Sequence, residues 1–143
     1  MAMSDRARRL LLTADGAFLA VVGAVQILFE LVGYYRGAGP FGELFDHSPF
    51  IIGWVEAHGL ALLIGVLLLA VARTDLSMFW HVFAAAVHVL LGGANIVFFD
   101  SFTTFGLVPM GVAATVVHAL FVVLHAVALV RRAQPSALKP RPE

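Results

Sequence analysis

Long apolar stretches separated by short polar ones organise this chain. Four of them, at approximately 10–33, 50–72, 79–99 and 107–130, are each about 20 residues or longer. A helix of that length crosses a hydrocarbon core of about 30 Å. The pattern predicts an all-α, integral membrane four-helix bundle in up-down-up-down order, a single membrane domain over 1–143. Asp15 and Gln26 inside the first run argue for a retained helix rather than a cleaved signal segment.

The connectors differ in character. The outer loop, 34–49, reads YYRGAGPFGELFDHSP. Gly37, Gly39, Pro40 and Gly42 break helix there, while Phe41, Leu44 and Phe45 can dip into the membrane interface. Thr74–Ser77 is a tight turn, which makes the second and third spans antiparallel neighbours. Asp100–Gly106 is a short loop before the fourth span. The Pro- and Lys/Arg-containing tail at 133–143 is expected to be disordered.

Composition agrees with the pattern. Hydrophobic residues make up 61% of the 143 positions and charged residues 13%, against about 25% charged in soluble domains. Mean hydropathy is +0.94. A net charge of zero gives no sign of a nucleic-acid partner, and the absence of cysteine excludes disulfides, thiolate metal sites and cysteine nucleophiles. Of the nine Lys and Arg residues, Arg36 stands alone on one side of the predicted bundle. Arg6, Arg8, Arg9, Arg73, Arg131, Arg132, Lys139 and Arg141 stand on the other. That bias predicts a multi-pass cell-membrane protein with both termini cytoplasmic.

The chemistry lies in polar residues that sit within the spans. Such residues cost about 2.5–3.5 kcal/mol each on insertion scales, so they face the bundle interior and often mark function. His81 and His88 in the third span, and His118 and His125 in the fourth, are seven residues apart within each pair. Seven residues is close to two helical turns, so each pair occupies one stripe. If the two helices run antiparallel, His81 stands level with His125 and His88 with His118. The result is two rungs of facing imidazoles about 10 Å apart.

Facing histidines on adjacent helices are how bundles hold metal and haem centres. The arrangement resembles the device of di-haem membrane cytochromes, but without their wider histidine spacing. One haem at most fits the short separation. The leading expectation is therefore a haem or transition metal held between the third and fourth spans through His81/His125 or His88/His118, with Asp15, Glu30 or His58 in supporting roles. A metal ion such as zinc, copper or iron would be bound by the histidines of a rung together with Asp15 or Glu30. Thr115 is expected to bond back to its own helix.

A second expectation is an intramembrane enzyme. Glu30, Gln26, His58 and Asn95 would form an acid–base pocket for a hydrophobic small molecule, a lipid or a terpenoid. His58 shares its side of the second span with Ala61 and Gly65 and is expected to face inward. Glu56, about 200° away around the helix, would face a neighbouring helix, the outer interface or a second subunit in a homo-oligomer. Proton or ion transfer along the polar column, or a purely structural role, completes the alternatives. Asp46-His47-Ser48 is no triad, because adjacent loop residues rarely meet the required geometry.

Overall fold

A computed structural model describes residues 3–130. The predicted tail, 133–143, lies outside them, as do Arg131, Arg132, Lys139 and Arg141. The described residues form helices α1 (Asp5–Arg36), α2 (Gly42–Phe45), α3 (Ile51–Thr74), α4 (Met78–Val97), α5 (Phe99–Thr104) and α6 (Val108–Leu129). Four of these, α1, α3, α4 and α6, are long and apolar enough to cross a membrane.

Local chemistry sets the ends of these helices. The Ser4 hydroxyl accepts from the Ala7 N–H at 3.3 Å and caps α1. No proline interrupts it, and it ends at Gly37, whose left-handed backbone (φ 55°) lets its N–H bond the Gly33 carbonyl at 2.9 Å. α1 is consequently longer than its apolar run, because the polar residues at both ends continue the helix. Pro109 sits in the first turn of α6, where a missing N–H leaves no bond unmade.

Two connectors are more ordered than the sequence suggested. Within 34–49, α2 folds back so that Phe41 and Phe45 are buried with Ile51, and the Phe45 ring meets Trp54 at 5.3 Å. Within 100–106, most of the segment belongs to α5, which seats the Phe102 ring on Gly111; a Cβ there would meet the ring at 2.5 Å.

Small residues bring the long helices together. A Cβ on Gly16 would stand 2.8 Å from the Gly65 carbonyl oxygen, and one on Gly23 2.7 Å from that of His58. The backbones of α1 and α3 therefore touch, as glycine-lined membrane helices do. Leu12, Leu19, Leu68, Val71, Ala72 and Ala84 form a buried cluster linking α1, α3 and α4. Arg9 also donates from its guanidinium to the Ala72 carbonyl.

Large apolar side chains face outward along all four long helices. Leu90 is 72% exposed and Leu63 65%, whereas Asp15, His81, His88 and His125 are 0% exposed. In water that distribution would be costly in both directions. In hydrocarbon the outward leucines cost nothing, and the inward polar groups find each other.

Candidate functional site

The interior polar residues form two separate constellations. The larger centres on Asp15, which α1 presents toward α4 and α6. Its two carboxylate oxygens accept from different imidazoles: Oδ1 from His88 Nε2–H and Oδ2 from His125 Nε2–H, each at 2.8 Å. A neutral imidazole that donates at Nε2 keeps a lone pair at Nδ1. His88 Nδ1 therefore accepts from His118 Nδ1–H at 2.8 Å, and His125 Nδ1 accepts from His81 Nδ1–H at 3.0 Å.

With the four imidazoles neutral, one ionised carboxylate assigns the tautomers of all four histidines. The chain of bonds runs His118, His88, Asp15, His125, His81 without a gap. Both terminal imidazoles keep an uncommitted Nε2. That of His81 is buried without a partner. The other end differs, because the His118 ring borders a cavity.

Aromatic side chains wall the cluster. Phe121 stacks on His88 at 4.7 Å with an interplanar angle of 12°, and Phe18 meets the His118 ring edge-on at 6.2 Å. The facing imidazoles are themselves tilted, by 46° for His81 and His125 and by 41° for His88 and His118. Gly92 makes the fit: a Cβ there would stand 3.1 Å from His118 Cβ.

The smaller constellation joins α1 to α3. His58 Nδ1–H donates to Glu30 Oε1, Glu30 is buried, and its Oε2 has no partner. His58 is only partly buried, and its ring borders the same cavity as His118. Gln26 and Asn95 complete the polar lining of this space, whose volume is about 560 Å³. Otherwise the walls are apolar, with Phe18, Leu19, Trp54 and Leu91 among them.

The structure accordingly brings Gln26, His58 and Asn95 to one cavity, with Glu30 behind His58. It brings Asp15, His81, His88, His118 and His125 into one bonded chain. Glu56 is exposed. Asp46 and His47 are exposed on the loop, 3.8 Å apart. Thr115 Oγ1 donates to the Gly111 carbonyl at 2.7 Å, within its own helix.

Two features went unread in the sequence. Asp15 bridges the two rungs rather than assisting one of them, and His118 belongs to the cavity as well as to a rung. Ala114, one turn before His118 on the same stripe and too small to fill the space beside its ring, was the available signal for the second.

The metal and haem expectation finds no support among the described residues, which contain no group of three or more His, Asp or Glu side chains able to hold a metal ion. The reason is directional. A bound ion needs several lone pairs aimed at one point about 2 Å away. Here the nitrogens meet pairwise at 2.8–3.0 Å and the other two address separate oxygens of Asp15. An ion between two facing nitrogens needs about 4 Å between them.

No family model, curated protein or solved structure matches this chain.

Proposed function

We propose that this chain is a membrane-embedded acid–base protein, which holds an apolar molecule in the cavity and exchanges protons with it at His118 and His58. The observation that carries this reading is that one cavity is bordered by two histidines, each backed by a buried carboxylate. His118 is backed by Asp15 through His88, and His58 directly by Glu30. An imidazole whose Nδ1 is held leaves Nε2 as its working nitrogen. When Nε2 takes a proton, the positive charge that develops is stabilised by the carboxylate behind it, which is how an oriented histidine acts as a general base.

Two such groups on one cavity can remove a proton at one carbon and return one at another, which is an isomerisation with no net proton change. Gln26 and Asn95 would hold the polar end of the bound molecule. The apolar walls favour a hydrophobic occupant over a water-filled path, and this sets proton exchange with a ligand above ion conduction. Haem or a transition metal at the rungs is the competing reading. It would require the four imidazole and carboxylate contacts to part.

We also propose that the bundle runs up-down-up-down with both termini in the cytoplasm. The support is the basic bias: Arg6, Arg8, Arg9 and Arg73 flank one end of the helices and Arg36 the other.

The test is deuterium wash-in. Purified protein in mild detergent is incubated in D2O with lipid extract from the expressing cells, and the lipids are analysed by mass spectrometry. Wild-type protein is expected to put deuterium into at least one component, while His118→Gln and Glu30→Gln put in none yet remain folded by circular dichroism. Absence of wash-in by the wild type overturns the reading, as does a Soret band or stoichiometric metal in the same sample.

A further inference from the structure

We infer that the molecule held in the cavity is an uncharged lipid whose polar group is a carbonyl or a hydroxyl. The inference deepens the acid–base reading and rests on it for the choice of cavity, while the class of lipid follows from the lining alone. C–H bonds beside a carbonyl are in addition ones an imidazole can exchange.

The argument starts from the polar lining. Among the described residues it consists of two amides, Gln26 and Asn95, two imidazoles, His58 and His118, and the indole of Trp54, with no Lys, Arg, Asp or Glu. A phosphate or carboxylate headgroup taken into this space would be a buried anion without a fixed cation, and an ammonium would be a buried cation without a carboxylate. The imidazoles cannot serve as counter-ions for it. Each is already tied to a carboxylate of its own, so a proton gained by His118 or His58 is balanced by Asp15 or Glu30.

The amides have the opposite character. Each presents N–H donors and a carbonyl acceptor, which match a ketone or alcohol oxygen without any charge to neutralise. A cavity of about 560 Å³ is of the size that holds a small apolar molecule. A second cavity of about 300 Å³ abuts it, with Trp54, Asn95 and Phe102 bordering both. Its polar residues, Asn95 and Ser101, are uncharged as well. Asn95 thus offers its amide to an extended chain lying across the two spaces.

Trp54 borders both cavities and reports on them. The experiment uses Trp80→Phe protein, in which Trp54 is the sole tryptophan, embedded in nanodiscs of zwitterionic lipid. Methyl undecyl ketone, dodecanol, dodecanoate and dodecylamine are titrated separately while its emission is followed. The ketone and the alcohol are expected to saturate the signal, with the acid and the amine at least about tenfold weaker.

Asn95→Leu, which keeps the bulk and removes the amide, should weaken the ketone several-fold to about tenfold. Gln26→Leu serves where that variant does not fold. Charged probes that bind as tightly as the ketone overturn the inference, as do folded leucine variants that bind it like the parent protein. The two proposals fail separately. Ketone binding without deuterium wash-in sinks the acid–base reading and leaves this one standing. Wash-in confined to a charged lipid sinks this one alone.

Discussion

Asp15 accepts from two histidines at once, and the balance of energies at that residue explains why it persists inside an apolar bundle. A mid-span aspartate costs about 2.5–3.5 kcal/mol on insertion scales. Two hydrogen bonds to an ionised acceptor return about 1.5–3 kcal/mol each, which covers the cost. Asp15→Asn tests the account. An amide offers one acceptor oxygen, and its nitrogen would face the second imidazole N–H, donor against donor. That imidazole must move its proton from Nε2 to Nδ1, where it confronts the outer histidine, which must shift in turn.

One arm of the chain therefore reverses. Nitrogen-15 NMR of the histidine side chains should show Nε2–H at His88 and His125 and Nδ1–H at His81 and His118 in the parent. The variant should show the reverse in one arm, with a stability loss of about 1.5–3 kcal/mol. An unchanged tautomer pattern would remove Asp15 from its central place. The nearest sequence-level clue was weaker than this. Periodicity puts Asp15 on an inward stripe, but which neighbours it meets depends on how α1 is rotated against two other helices.

At the scale of elements, the turn between α3 and α4 is held by one side chain. Asp75 Oδ2 accepts from Trp80 Nε1–H at 2.8 Å and Oδ1 from the Ser77 N–H at 2.8 Å. The Trp80 bond first, and the Ser77 backbone bond after it, hold the Asp75 carboxyl below its ordinary value of 3.8. A carboxyl lowered in the folded state stabilises above its unfolded value. That contribution is lost as pH falls through the folded value. In Trp54→Phe protein, where Trp80 is the sole tryptophan, emission should change on acidification with a midpoint below 3.8. Asp75→Asn should abolish that step. A midpoint at or above the ordinary value would show that the bonds do not favour the ionised form.

The helices themselves were legible from hydrophobic runs, because a span needs only length and composition. Their ends were less so: α1 overruns its apolar segment until Gly37 stops it, and α5 forms where a loop was expected. There the deciding contact is Phe102 on Gly111, a pairing that no local pattern announces.

At the scale of the whole molecule, two carboxylates and three imidazoles are buried while many large apolar side chains face outward. The absence of cysteine makes its proposed orientation simple to check. Glu43→Cys, on the exposed face of the outer loop, should react with an impermeant maleimide added to intact cells. Thr74→Cys, at the other end of α3, should react only after permeabilisation. The opposite pattern would invert the assignment.

By itself the sequence determined four helices able to cross a membrane and two stripes bearing paired histidines. Helical periodicity is a local property, fixed by residues three and four apart. It also supplied Gln26, Glu30, His58 and Asn95 as companions in chemistry. Only the tertiary structure decided that Asp15 joins both rungs, that Glu30 stands behind His58, and that His118 shares a cavity with His58. Those relations depend on how closely and at what rotation the helices pack, which is set by glycine contacts such as Gly16 against Gly65 and Gly92 against His118. A glycine records only a missing side chain, and what enters the space it leaves is known once the partner helix is in place.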